Sequence, residues 1–521
     1  MYNDDPTQEV DFSTAHMGLF NLDDYCNVHD ILLQYDSELF MKKKYFVTDY
    51  HQLSLLRMFV MGNMGEDVMP KLSKNMSKIN FFQKLYSIDF RTNMFFFKKA
   101  SFHNYHEIGK HFACFGQSYN HIPGHGHLTR KDLLTLRSMD WNTELFGKES
   151  KCREKMEYVP KGYRLNVKDE CDSFFSLLNS NKYFQRKKEH PVQFIMKISF
   201  GVHRGDGVEI LNESLERQYR EQYQGGKQCG KIDYTVLAQD YIDNPLLYKG
   251  YKFDFRIYMM ITSIDPLIVH YHDGFLRNSL VKYDKASAIS GVHITNTSKS
   301  KKIIQECKEK GTTHNGMNYQ QLRDFQMKTL EDLQDHLLEL GLIKDTNWLD
   351  NYLRPEFKRA MLSMAKMTQP FLYKSADVFE MFGLDFVIDE DFKLHIIEVN
   401  ASPMIIGTAT RKTNLLKGMM KGLFDIQYAY QYSRTKRALN YLKENFEEIR
   451  NKVNMPEHQL KFFKLYRNYL EPEYKDMIKQ DNPWELVFDG NREGLDKYNG
   501  LIDDECANII EEWSKKFEND N

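Results

Sequence analysis

Lys252-Phe253-Asp254-Phe255-Arg256 runs directly into Ile257-Tyr258-Met259-Met260-Ile261, and the join between the two halves decides how this chain folds. In an extended chain successive side chains point to opposite faces, so Lys252, Asp254 and Arg256 share one face and the phenylalanines take the other. The apolar run that follows belongs in an interior, which places three charges at the edge of a core. A cross-paired surface ladder has the same alternation, but charges held against a core are usually functional or tightly paired.

The same mixture recurs further along, in Arg277-Asn278, His293-Ile294-Thr295-Asn296, Asp385 and Glu398-Val399-Asn400. Glu398 and Asn400, at i and i+2 of a strand, share a face. Asp385 lies on the preceding strand, across a turn from Asp389 to Phe392, so three oxygen-bearing side chains converge on one side of a hairpin. A buried glutamate without a partner is costly, and a metal ion or a basic side chain is expected beside it. Hard oxygen ligands of this kind suit Mg²⁺; a structural salt bridge fits the same pattern.

Upstream, Gln193 to Phe200 reads as a strand containing Lys197, followed by the glycine-rich turn Gly201-Val202-His203-Arg204-Gly205-Asp206-Gly207-Val208. Glycines there let backbone N–H groups and a lysine approach phosphates, although a hairpin turn beside surface charge has the same look. Neither a Walker lysine pattern nor the kinase H-R-D and D-F-G set occurs.

Composition narrows the class. At 521 residues the chain exceeds what one growing core accommodates, and two or three lobes are expected. Lys+Arg 71 against Asp+Glu 73 gives no global pull toward nucleic acid or a membrane surface, so an acidic partner has to be met by a local patch. Seven scattered cysteines with no C-x-x-C pair predict reduced thiols, without a zinc site or a disulfide framework. Met1 to Val10 is acidic and polar and does not read as a signal peptide. No apolar run reaches membrane-spanning length, the burst Met94-Phe95-Phe96-Phe97 being closed by Lys98-Lys99. A soluble, intracellular protein is expected.

Further strands are predicted at Val236 to Tyr241, Phe253 to Ser263, Leu267 to Tyr271, Met381 to Ile388 and Lys393 to Val399. Gln320 to Glu339 reads as one amphipathic helix, and Leu439, Leu442, Phe446, Ile449 and Val453 as one apolar helix face. Ala507, Ile510, Trp513 and Phe517 have the same spacing. The basic stretch Ser298 to Gly316 reads as an exposed loop or insertion, either a solvated face or part of a groove for an acidic polypeptide.

Taken in order, several segments resemble those of the tubulin–tyrosine-ligase-like family. They are Asn120-His121-Ile122-Pro123-Gly124, Leu128-Thr129-Arg130-Lys131-Asp132, Lys197 with Arg204-Gly205-Asp206-Gly207, Gln239-Asp240-Tyr241-Ile242-Asp243-Asn244-Pro245, Lys252 to Arg256, His293 to Asn296, and Glu398-Val399-Asn400-Ala401-Ser402-Pro403. The resemblance covers about residues 85 to 425 and implies an α/β (α+β) ATP-grasp fold. The expected division is an extension at 1–84, an N-terminal α/β lobe at 85–190, central and C-terminal lobes at 191–425, and a helical extension at 426–521. Outside 85–425 the resemblance gives no help, and the amphipathic C-terminal helices are read as packing on the core or binding a microtubule or adaptor.

By the same resemblance, ATP would meet Lys131, Lys197, the Arg204-Gly205 loop, the hinge residues Gln239, Asp240, Tyr241 and Ile242, then Lys252, Asp254, Thr295 and Asn296. Asp385, Glu398 and Asn400 would hold Mg²⁺. Arg277 and Arg256 would act at the reacting carboxylates, with Arg204, Arg277, Ser298 and Lys417 on the substrate side. The implied activity is ATP-dependent addition of glutamate to glutamate side chains of tubulin tails through an acyl phosphate. A glycine ligase of the same fold is the alternative within enzymes, and a non-catalytic microtubule-associated protein the alternative outside them. The Asp273-Gly274-Phe275-Leu276-Arg277 turn favours glutamate. Thr297-Ser298 where glutamate-adding members have Tyr-Ser, a one-residue shift at Lys417, and the length of Ala401 to Gly418 point the other way. The expected location is cytoplasm and cytoskeleton, with cilium, flagellum or basal body as more specific sites.

Overall fold

Ile257, Met259 and Ile261 alternate with Tyr258 and Met260 along one strand, and the two sets are buried in different core clusters on its two faces. The computed structural model in which this is seen describes residues 118–145, 151–199, 207–223, 229–231, 236–287, 289–295, 297–374, 378–401, 403, 405, 410–451, 453–467 and 476–517, with short strands at 44–47, 66–67 and 94–96. Most of the stretch read as an N-terminal extension, and of 85–117, therefore lies outside the described residues.

Among the described residues the strands form three sheets. β1 (Lys44–Val47), β2 (Glu66–Asp67), β3 (Met94–Phe96) and β4 (Ser118–Tyr119) pair in parallel in the order β2-β1-β3-β4. β5 (Gly162–Arg164), β6 (Phe194–Ile198), β7 (Val208–Ile210) and β8 (Val236–Asp240) form an antiparallel sheet in the order β5-β8-β6-β7. The largest sheet runs β12-β11-β10-β13-β14, built from β9 (Leu247–Tyr248), β10 (Tyr251–Ile264), β11 (Leu267–Asn278), β12 (Met327–Lys328), β13 (Glu380–Ile388), β14 (Leu394–Asn400) and β15 (Glu485–Asp489), with β9 added on β10 and β15 on β11.

β10 is paired on both edges and covered on both faces, which is why its sequence is apolar beyond Arg256. Phe253, Phe255, Ile257 and Met259 pack in one cluster with Phe357, Ala360, Met361 and Met364 of the helix Arg354–Thr368. Tyr258 and Met260 pack in the other with Leu416, Met419, Leu423 and Phe424 of the helix Thr410–Glu444. Burial of each such side chain contributes roughly 1.5–3 kcal/mol. Lys252, Asp254 and Arg256 continue the second face beyond its apolar part, so the charges sit where that cluster ends. The β10–β11 register shifts between Arg256 and Tyr258. Gly274 lies opposite the shift, and a Cβ there would stand 1.6 Å from the Arg256 carbonyl oxygen.

Several expectations are corrected. Cys152 is bonded to Cys506 and Cys171 to Cys229, with Cα atoms 5.5 and 5.7 Å apart, while Cys307 is free and buried. The pairs are 354 and 58 residues apart, a separation that local cysteine spacing does not reveal. Ser298 to Gly316 is no loop over most of its length: Thr297–Lys310 is helical, because Ile303, Ile304 and Cys307 pack on Leu280 and Leu322. The amphipathic stretch 320–339 is two helices, Tyr319–Gln326 and Leu330–Glu339, separated by edge strand β12. The 439–453 face is divided at Asn445, and Val453 is exposed. Ala507, Ile510 and Trp513 are buried in the main core, as their spacing predicts. The helix Thr410–Glu444 runs without interruption through position 425. No helix among the described residues is long and apolar enough to cross a membrane.

Candidate active site

The charged ends of β10, β11 and β13 meet in one buried network, with Glu398 of β14 at its more exposed edge. Register places Asp254 opposite Arg277, Arg256 opposite Asp385, and Asp385 opposite Glu398. Arg277 donates from Nε to Asp254 Oδ1, and its Nη2 lies 2.8 Å from Asp385 Oδ2. Arg256 grips the same aspartate at both oxygens, through Nε to Oδ1 and through Nη2 to Oδ2 at 2.9 Å. Thr295 donates its hydroxyl to Asp254 Oδ2. Burial pushes the Asp254 carboxyl up despite Arg277. Burial acts the same way on Asp385, but Arg256 and Arg277 outweigh it and hold that carboxyl below its ordinary value. Arg277 is raised in turn by Asp254 and Asp385 against the effect of burial.

Two lysines face this network from the smaller antiparallel sheet and the helix Lys131–Glu144. Lys131 Nζ is 3.1 Å from Glu398 Oε1. Lys197 Nζ, on β6, donates to Gln239 Oε1 at 2.6 Å and to the Ile397 carbonyl at 3.0 Å. That carbonyl is free to accept because the β13–β14 pairing skips Ile397: Asp385 pairs with Glu398, and Phe386 with Ile396. Burial, reinforced by Lys131, pushes Lys197 down to about 8.

Lys252 is pushed down to about 7 by burial, and its Nζ donates to the Tyr241 hydroxyl at 2.9 Å. That hydroxyl lies 2.7 Å from His293 Nδ1, whose Nε2 is 2.7 Å from the Ser287 carbonyl. Gln239 Nε2 donates to the Pro160 carbonyl, Asp240 is raised by burial, and Ile242 is half-buried in the connection to β9.

The structure thus brings together Lys131, Lys197, Gln239, Tyr241, Lys252, Asp254, Arg256, Arg277, Thr295, Asp385 and Glu398. Asn400 sits on the same hairpin, its Nδ2 donating to the Gly383 carbonyl at 3.3 Å, so the amide oxygen is the end it has to offer a cation. Lys417 is half-buried on the helix Thr410–Glu444. Arg204, Gly205 and Asn296 lie outside the described residues, as does the side chain of Ser298. Sequence reading did not single out Glu380, which is fully buried and contacts His121 and His125. Its signal was a lone carboxylate inside the apolar run Val378-Phe379-Glu380-Met381-Phe382.

Five basic side chains, Lys131, Lys197, Lys252, Arg256 and Arg277, face three carboxylates here, a basic excess suited to a polyphosphate. A model of the tubulin-tyrosine ligase family matches residues 110–437, more than half of the sequence and all of this site. The chain belongs to the tubulin-tyrosine ligase family. Its sheets and helices are therefore those of an ATP-grasp-like fold. Among curated relatives, the human inactive polyglycylase TTLL10 is 25% identical over 283 residues, covering 52% of this chain and 38% of its own. The tubulin polyglutamylase TTLL7 of Xenopus tropicalis is 24% identical over 419 residues, 70% of this chain and 41% of its own. The probable alpha-tubulin polyglutamylase Ttll1 of Tetrahymena thermophila is 28% identical over 321 residues, 60% and 71%. The chain thus spans about two fifths of the first two relatives and more of the third.

Proposed function

We propose that this family member is an ATP-dependent ligase that adds glutamate to glutamate side chains on the acidic tails of tubulin. The observation that carries this reading is the buried meeting of the lysines with the Asp254–Arg277–Asp385–Arg256 network. It offers phosphate-binding cations and oxygen ligands for a divalent ion within one site. Family membership supports ligase chemistry, and the names of TTLL7 and Ttll1 support glutamate as donor and tubulin as acceptor.

The donor set fits Mg·ATP. Asp385 and Glu398 are cross-strand neighbours and Asn400 follows on the same face, all hard oxygen donors. These three would hold the ion, with Lys131, Lys197 and Lys252 on the phosphates. The nucleotide supplies a phosphoryl group: an acceptor carboxylate oxygen attacks the γ-phosphorus, the bond to ADP breaks, and an acyl phosphate forms. The donor amine then attacks the acyl carbon, phosphate leaves, and the amine gives up a proton. The tasks left to the chain are positioning and charge stabilisation. Arg256, fixed at both nitrogens by Asp385, is held to face charge developing on the acyl oxygen, and Arg277 to face the donor carboxylate. Buried lysines attract phosphate strongly because little water screens them. On this reading the protein works at the cytoskeleton.

A glycine ligase is the second reading, favoured by the polyglycylase names among its relatives and by Thr297-Ser298. The test is incubation of the full chain with tubulin, Mg·ATP and labelled glutamate or glycine. Glutamate incorporation that disappears with Glu398→Gln is expected. Incorporation of glycine alone would replace the first reading with the second, and no ADP release with either donor would leave a non-catalytic microtubule-binding protein.

A further inference from the structure

His121 and His125 flank the turn at Pro123-Gly124, and both imidazoles meet the carboxylate of Glu380 on β13. His121 Nδ1 lies 2.8 Å from Glu380 Oε1; His125 Nδ1 lies 2.9 and 2.8 Å from Oε1 and Oε2. One ligand atom from each of the three falls within 4.8 Å of the others. His121 and Glu380 are shut off from solvent, while the His125 side chain keeps 18% exposure, which leaves a way in.

These side chains are not all that holds the turn. Tyr373 N–H donates to the Pro123 carbonyl, His127 N–H to that of Gly124, and Phe379 N–H to that of Tyr119, each at 3.0 Å. Gly124 has φ +88°, and a Cβ there would stand 2.1 Å from the Phe371 carbonyl oxygen, so the turn lies flush against 371–372. Backbone bonds thus hold the turn that carries both imidazoles against the strand that carries the carboxylate. The Ile122 N–H, 2.9 Å from Glu380 Oε2, orients the carboxylate as an outer partner orients a metal ligand. The cluster is separate from the nucleotide site: Glu380 precedes Asp385 by five positions, about 17 Å of strand, and points to the opposite face.

We propose that His121, His125 and Glu380 form a second metal site, which takes a divalent transition ion of the zinc type. Two imidazoles and one carboxylate are a zinc donor set that leaves a fourth position for water, whereas Mg²⁺ prefers oxygen ligands alone. Without the ion the imidazole nitrogens share protons with the carboxylate; binding replaces those protons and releases them. A bound ion would clamp the turn that leads into the Lys131 helix onto the strand that bears Asp385.

The full chain, stripped of metal by dialysis against a chelator, would be titrated with Zn²⁺ in competition with a chromophoric chelator, and separately with Co²⁺ while visible absorption is recorded. One Zn²⁺ per chain is expected, unaffected by millimolar Mg²⁺, with the visible bands of low-coordinate Co²⁺. His125→Ala, at the solvent edge of the cluster, should keep the circular dichroism spectrum and weaken Zn²⁺ binding by about a hundredfold, the upper end of what loss of even an outer-shell partner costs. Glu380→Gln should do the same, and if it fails to fold, His125→Ala decides. Three results overturn the site: no Zn²⁺ bound by the wild type, equal affinity in wild type and His125→Ala, or binding lost instead in Cys152→Ser/Cys506→Ser. Those two cysteines, bonded to each other here, could with Asp503 form the other potential group among the described residues only once reduced.

Discussion

Arg277 and Asp254 face each other across the β10–β11 ladder, and Arg277 also reaches Asp385 on the far side of β10, so one guanidinium ties together two buried carboxylates. The residue proposed to meet the donor carboxylate is thus also a structural counter-ion. Arg277→Ala should lower unfolding free energy by about 3–5 kcal/mol, since it leaves buried charge unpaired. Arg277→Lys should restore most of that stability without restoring bidentate recognition of the donor. Chemical denaturation and donor KM, measured on both variants, separate the roles; a lysine variant with wild-type donor KM would remove Arg277 from the donor site.

Glu398 is set differently. Its side chain is 37% exposed, with Lys131 as ion-pair partner. Glu398→Gln should change stability by no more than about 1 kcal/mol, as for an exposed pair. Ligation should fall at least a hundredfold, the scale of about 3 kcal/mol of lost transition-state stabilisation. A rate above a tenth of wild type would show that this carboxylate does not bind the ion.

The low values of Lys252 and Lys197 give a pH dependence with a defined sign. Lys252 sits at about 7 in the fold against 10.5 ordinarily. Between those values the unfolded chain holds the extra proton, so the stability contributed at this position rises with pH through the window and is smallest below about 7. ATP has the opposite preference, because phosphate favours the ammonium. Its affinity should fall as pH rises above about 7, with a proton taken up on binding; Lys197, at about 8, adds to the upper part of the range. Calorimetry in buffers of different ionisation enthalpy reads the uptake. Lys252→Met should reduce it, and an unchanged uptake would mean that another group titrates.

Lys299, Lys301 and Lys302 lie on the helix Thr297–Lys310 directly after Thr295-Asn296. Neutralising all three should slow capture of tubulin and flatten its salt dependence while leaving turnover at saturation nearly unchanged. The comparison is kcat/KM at low and physiological ionic strength. Superimposable salt profiles for wild type and triple variant would take this helix off the substrate path.

What could be read beforehand follows from how local the signal was. Lys252 to Arg256 declares its two faces within five residues, and the 385–398 hairpin declares its turn, so these strands and the convergence of Asp385 with Glu398 were accessible. The helix at 297–310 was hidden because Lys and Ser dominate its composition, while the three apolar residues that dock it make sense only once Leu280 and Leu322 are beside them. Its neighbour did leave a signal that went unused: Asn318 with Gln321, and Thr329 with Asp332, are capping boxes marking two separate helix starts. The arginine–aspartate network depends on strand order, which no short segment encodes, and the cysteine pairs depend on contacts between distant parts of the chain.

Trp513 meets Trp141 with ring centroids 4.9 Å apart, Ile510 lies in the same core as Phe357, and Cys506 is bonded to Cys152. The segment recognisable by family likeness, which ends at residue 437, is consequently not a unit that can be cut out: trimming there would strip a wall from the interior and take β15 off the main sheet. Heredity and folding draw different borders in this molecule, and the chain beyond the recognisable part belongs to the scaffold of the body that carries the candidate site.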